Sequence, residues 1–277
     1  MENFQLQLLF KIIGLGSASG LLHHNNVILA ISDNSSFLYE YNMQNNQLQK
    51  HALMELSQEG ILKIDKPDFE SITQHGNDIY IFGSGSTEKR KVMVQIDATT
   101  KEIIKTTNMQ QLYTTMQSFG KINPEKFNLE GAIYNGENWL FFNRGNGKNS
   151  KNAIFTVTGE NLEDSFSILH NTIKLPKIKG VETSFTDAIM VNNKIYFLAS
   201  AEDTHNTYDD GEVFGSIIGI INPETMKVEF TKKISNKAKL EGLALFSESE
   251  KEITFLICED NDTEVLESNI YKLVLEK

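Results

Sequence analysis

Five short segments of the chain share one pattern. They are Ala18-Ser19-Gly20-Leu21-Leu22, Phe69-Glu70-Ser71-Ile72-Thr73, Leu129-Glu130-Gly131-Ala132-Ile133, Phe185-Thr186-Asp187-Ala188-Ile189 and Leu240-Glu241-Gly242-Leu243-Ala244. Each has an apolar or small residue, a polar one, a short one and then two mostly apolar ones. The polar positions carry two hydroxyls and three carboxylates, at spacings of 51, 60, 56 and 55 residues. Carboxylates that converge unpaired repel one another until some take up protons. A hard divalent cation removes that cost. Oxygen-only donors with three negative charges suit calcium, which takes about six to eight oxygens, better than magnesium. Zinc is disfavoured, because neither Cys258 nor any of the 6 histidines falls in this register. Ser19, Glu70, Glu130, Thr186 and Glu241 are therefore the candidate ligands of a Ca2+ ion. Two other roles stay open for the glutamates: holding water or pairing with neighbouring basic groups, and capping strand starts.

Lys89, Arg90 and Arg144 stand out as cations in an acidic chain. Arg144 is flanked by Gly145 and Gly147, and a guanidinium there could clamp a phosphate or carboxylate bidentately. Salt bridges to Glu202, Asp203, Glu259 or Asp260 are the equally open alternative. The run Gly83-Ser84-Gly85-Ser86-Thr87 offers either backbone N–H groups to an anion or a plain turn. It is not a dinucleotide fingerprint, since no third glycine follows and a strand comes next. Asp33, Ser84, Ser86, Arg90, Asn143, Glu202 and Asp260 lie in polar loops expected to surround a pocket. Asp260-Asn261-Asp262-Thr263-Glu264 resembles half a calcium loop but lacks its glycine, and reads as a hairpin tip. His23-His24 reads as a surface pair. Neither H-E-x-x-H nor a Walker A sequence is present, and Ala18 stands where a G-x-S-x-G elbow needs serine.

The elements that position these residues follow from the same repeat. After each segment come a polar turn and a second apolar run: 27–31, 79–82, 139–142, 195–198 and 253–257. Third runs follow at 37–41, 91–96, 153–157, 216–221 and 269–275, and weaker fourth ones at 48–53, 101–106, 165–169 and 227–234. Short β-branched and aromatic runs bounded by Gly, Asn and Asp are strands. Four strands at this period predict an all-β, five-bladed β-propeller. A β-sandwich, the competing fold, has no reason to repeat its inner motif. Only 36 residues follow Glu241, so residues 4–12 are expected to complete the last blade and close the ring. A short helix is predicted over 109–119 and a long acidic insertion over 201–215. No linker divides the chain, which reads as one domain over 1–277. In a propeller the first strand of each blade lines a central channel, so the five polar residues should converge at one mouth.

Composition excludes several classes. The 40% hydrophobic and 23% charged content supports a real core and rules out global disorder. With 37 acidic and 26 basic residues the net charge is −11, which argues against nucleic acid, whose binders need a basic stripe. The single cysteine, Cys258, permits no intrachain disulfide and reads as a buried thiol. No apolar run approaches the roughly 18 residues of a membrane span. Glu2 and Lys11 interrupt what a signal peptide would need, so a cytoplasmic location is expected.

Segments 26–33 with 37–41, 69–80 with 83–85, 183–201 and 240–245 resemble those of the calcium-activated nucleotidases, or apyrases. The segment 129–144, with Glu130, Trp139, Phe141-Phe142 and Arg144, is the most similar. These nucleotidases are five-bladed propellers with calcium in the channel. The resemblance implies that Glu70, Glu130 and Glu241, with Ser19 and Thr186, bind calcium directly or through water. It implies that Asp33, Arg144 and Glu202 face a nucleotide whose phosphates calcium helps to hold, and which a bound water would attack at phosphorus. The blade-one loop Ser32-Asp33-Asn34-Ser35 departs from the family, which tends to carry a second acid and a basic residue there. The sequence also looks like a bacterial propeller family of uncharacterised activity. Two rivals follow from the residues. One is a non-enzymatic module with a structural ion, binding a protein or glycan. The other is a glycoside hydrolase using Glu70, Glu130 and Glu241, disfavoured because Trp139 is the only Trp.

Overall fold

The computed structural model describes residues 3–145, 151–204, 211–260 and 265–277. It is a five-bladed β-propeller of four-stranded antiparallel sheets. Blade one comprises Ala18–His24, Val27–Ser32, Phe37–Asn42 and Gln47–Ala52. Blade two comprises Phe69–His75, Asp78–Gly83, Val92–Asp97 and Ile103–Asn108. Blade three comprises Leu129–Tyr134, Asn138–Asn143, Ala153–Asn161 and Ser165–Thr172. Blade four comprises Ser184–Val191, Lys194–Asp203, Glu212–Asn222 and Lys227–Lys233.

Blade five takes three strands from the C-terminal part, Lys239–Glu248, Glu252–Asp260 and Glu267–Glu276. Its outermost strand is the N-terminal Phe4–Ile13. The pairing Phe4↔Leu275 through Ile13↔Glu267 is the expected closure of the ring. A sheet edge that would otherwise stay open is thereby covered.

Both faces of each blade are buried, because alternate residues of a strand point to opposite neighbours. In blade three, Phe141 packs with Phe82 and Met93 of blade two, whereas Leu140 and Phe142 pack with Phe185 and Phe197 of blade four. Five hydrophobic clusters result, one at each junction between blades. The inner strands touch in sequence around a closed ring.

The helix predicted over 109–119 is Gln110–Gly120. It packs Leu112, Tyr113 and Met116 into the junction of blades two and three, which accounts for the longest repeat spacing. The Tyr113 hydroxyl donates to the Gly83 carbonyl at 3.0 Å. Gly85 lies directly beneath it with φ +77°, where a Cβ would come within 2.5 Å of the Tyr113 ring. The acidic insertion at 201–215 differs from expectation. Most of its described part is strand, with Glu202↔Val213 and Asp203↔Glu212 paired. Residues 205–210 of that segment lie outside the described residues, as do Gly147 and residues 261–264 of the half calcium loop.

Candidate functional site

One register irregularity recurs in all five inner strands, and it falls on the repeated polar residue. The ladder skips Ser19 between Ala18 and Gly20, Glu70 between Phe69 and Ser71, Glu130 between Leu129 and Gly131, and Thr186 between Phe185 and Asp187. In blade five it passes from Leu240↔Glu259 to Leu243↔Ile257. A β-bulge leaves its extra residue unpaired and re-aims the side chain. Here five bulges turn five polar side chains toward the same mouth.

Two of these five side chains tie the wall together. The Ser19 hydroxyl donates to the Phe69 carbonyl of blade two at 2.5 Å, and the Thr186 hydroxyl donates to the Leu240 carbonyl of blade five at 2.7 Å. The three glutamates differ. Glu130 accepts from Asn128 Nδ2 at 2.5 Å and from Arg144 Nη1 at 3.1 Å. Glu241 lies 3.1 Å from Lys239 Nζ. Glu70, among the described residues, has no hydrogen bond and no ion pair.

The expected loop residues do gather here, but around carboxylates of the chain. Arg144 is buried, with its terminal nitrogens on Glu130 and Glu202, and Glu202 also accepts the Gly211 N–H at 2.9 Å. The salt-bridge alternative for Arg144 is thus the arrangement observed. Arg90 donates to Asp68 at 2.6 Å, Ser86 Oγ at 2.9 Å and the Lys63 carbonyl at 2.8 Å. Ser84 donates to Asp68. The glycine-rich run is a turn: the Ser84 N–H donates to the Asp68 carbonyl and the Gly85 N–H to the Arg90 carbonyl, so neither is left for an anion. Asn143 accepts the Asn128 N–H and donates to the Arg144 and Lys151 carbonyls, each at 3.1 Å, which fixes the loop that carries Arg144. Asp260 pairs with Lys239 at 3.0 Å. Asp33 pairs with Lys66, which also reaches Asp68 at 2.8 Å.

The pattern of repeats left out five groups that matter. Asp68, Asn128 and Lys239 stand two residues before the bulge, where the other blades have Ser17 and Ser184. That position is polar in every repeat, a signal the alignment carried. Lys66 comes from the crossing between blades one and two and repeats nowhere. Asp187, one residue past the bulge, holds the position that is Gly20, Ser71, Gly131 and Gly242 in the other blades. The small residue has a reason: a Cβ on Gly242 would lie 2.8 Å from the Leu21 N–H nitrogen of blade one. Cys258 is the expected buried thiol, donating to the Ala18 carbonyl at 3.3 Å, and burial raises its pKa.

Among the described residues, Asp33, Asp68, Glu70, Glu130, Glu202, Glu241 and Asp260 face Lys66, Arg90, Arg144 and Lys239: seven carboxylates against four cations. Burial pushes Glu70 well above the usual carboxylate range, and Asp68, Glu130 and Glu241 push the same way. Burial also raises Glu241 and Glu130, the latter despite Arg144. Glu202 is buried too, but Arg144, Lys239 and the Gly211 N–H outweigh that and hold it below its usual value. Lys66 is desolvated yet held protonated by Asp68 and Asp33. Carboxylate oxygens of Asp33, Asp68 and Glu70 lie within 4.8 Å of one another, a triad able to hold a cation. It sits at the junction of blades one and two, whereas the sequence pattern predicted a ring of five around the axis.

Comparison with known proteins agrees with this architecture. The major allergen Mala s 1 of Malassezia sympodialis superposes over 96% of both chains, with a TM-score of 0.63 at 8% identity. The PQQ-bound aldose sugar dehydrogenase of Streptomyces coelicolor superposes over 99% of both, with a TM-score of 0.52 at 9% identity. At such identities the likeness is one of fold, and it is not specific to nucleotidases. No curated protein matches the chain. The pattern of one family spans residues 14–275, nearly the whole propeller, and the chain therefore belongs to that family, DUF6929, a family of unknown function.

Proposed function

We propose that this propeller is a cation-dependent binding protein. Its acidic mouth takes a divalent cation, calcium, on Asp33, Asp68 and Glu70, and a small anionic ligand such as a phosphorylated one binds through that ion. The observation that carries the reading is Glu70, a carboxylate with no hydrogen bond or ion pair among the described residues, inside a triad of oxygens within 4.8 Å. Asp33 Oδ1 is also buried without a hydrogen-bond partner. The donors are hard carboxylate oxygens, which favours calcium, and they leave positions for water and ligand.

The chain's own cations support binding through the ion. Arg90 and Arg144 are committed to Asp68, Glu130 and Glu202, so neither guanidinium is free to clamp a phosphate. Arg144 and Lys239 instead hold four carboxylates in place around the triad. When bound, the cation would supply the positive charge that an anionic ligand needs.

Thermal melting of chelator-treated protein tests this, with calcium, magnesium or neither, each with and without nucleotides and sugar phosphates. Binding to the native state alone raises stability by about 2.7 kcal/mol at a hundredfold excess over Kd. A rise specific to calcium, and a further rise with a phosphorylated ligand only when calcium is present, is expected. No response to any cation would leave the carboxylates as a hydrated lining and end the proposal.

A further inference from the structure

The other end of the channel has the opposite chemistry. There the five inner strands line an open-mouthed cavity of about 450 Å³. Leu21, Ile72, Ile133, Ala188 and Leu243 contribute to its wall, one from each blade. Among the described residues no Asp, Glu, Lys or Arg lines it, although such residues make up 23% of the chain. Of its polar side chains, those of His23, Gln74, Tyr134 and Asn192 are turned to nearby groups, Asn192 donating to Glu248 at 2.7 and 2.8 Å. His23 lies 3.1 Å from the Leu245 carbonyl, Gln74 donates to the Gly76 carbonyl at 3.0 Å, and Tyr134 donates to that of Gly136 at 3.1 Å. Each inner strand is paired on one side only, so its other edge turns backbone N–H and C=O groups toward the channel. Asp187 satisfies one of them, the Leu243 N–H, at the end nearer the acidic mouth.

We propose that this cavity is a second ligand site, for a small uncharged molecule with an aliphatic body and one or two hydroxyl or carbonyl groups. The volume is that of an ordinary small-molecule pocket. The aliphatic wall rewards burial of apolar surface, and the strand edges offer partners to a neutral polar group. A charged ligand would lose its hydration with no counter-ion to meet it. The site is independent of the cation at the acidic mouth.

Nile red, an uncharged fluorescent dye, is the probe, displaced by straight-chain 1-alkanols and by carboxylates and amines of equal length. Saturable dye binding is expected. Alkanol affinity should rise about threefold to fourfold per added methylene until the cavity is full. The charged analogues should bind at least about tenfold more weakly. Thr73→Arg and Met190→Arg each put a charge into a partly exposed stretch of the wall. Each should weaken the dye about tenfold or more while circular dichroism shows native structure. Adding calcium should leave dye binding unchanged. The proposal is overturned by no saturable binding, by no dependence on chain length, by equal affinity for the carboxylates, or by dye binding that survives in a folded variant. If one variant fails to fold the other decides. If both fail, the alkanol and carboxylate series on the wild-type protein decides alone.

Discussion

The carboxylate of Asp187 accepts the Leu243 N–H at 2.7 Å, so an acid of blade four closes part of the exposed backbone edge of blade five. Its other oxygen accepts the Ala188 N–H, also at 2.7 Å. Asparagine has the same shape but only one acceptor oxygen. Asp187→Asn should therefore leave one buried N–H facing another, and lower stability by about 1–3 kcal/mol in urea denaturation. An unchanged midpoint and slope would mean that water takes over the lost bond.

Arg144 joins Glu130 in blade three to Glu202 in blade four. Arg144→Met strands two buried carboxylates, a change that costs about 3–5 kcal/mol when one partner of a buried pair is removed. Adding Glu130→Gln and Glu202→Gln to the same chain should recover much of the loss. Chemical denaturation of the single and triple variants measures both, and equal stability of the two would contradict the pairing.

The strand repeat and the five polar bulge positions were legible because the fold reuses one motif, and repetition separates signal from background. What repetition could not show is which charges neutralise which. Lys66 lies in a crossing with no counterpart in other blades. Arg90 comes from the short 3-10 turn Glu88–Arg90. Ser19 and Thr186 stand in the same register as the glutamates, but that register does not show that their protons bind carbonyls of the next blade. Glu202 reads as a residue of a polar loop, but the hairpin continues past it and carries it to Arg144.

Acid should stabilise the chelated protein over a limited range. Burial lifts Glu241 and Asp187 well above the usual carboxylate range. Such groups bind protons in the folded state before the unfolded chain does. Their contribution grows as pH falls through the raised values, is complete below about 4, and is lost as pH rises. His170, lowered by burial, opposes this as a single group. Glu202 is lowered, so its contribution is lost only in stronger acid. The melting midpoint should be higher at pH 5.5 than at pH 7.5, and Glu241→Gln with Asp187→Asn should reduce the difference. A midpoint that falls steadily across that interval would contradict the assignment.

Calorimetric titration of calcium into chelator-treated protein tests the central claim most directly, using wild type, Asp68→Asn, Glu70→Gln and Glu130→Gln. One ion per chain is expected for wild type. Asp68→Asn and Glu70→Gln should each weaken it about tenfold or more, because each removes a charged donor. Glu130→Gln should bind nearly as wild type, since Glu130 lies outside the triad of Asp33, Asp68 and Glu70. No heat of binding in the wild type, or undiminished affinity in Glu70→Gln, would contradict the account.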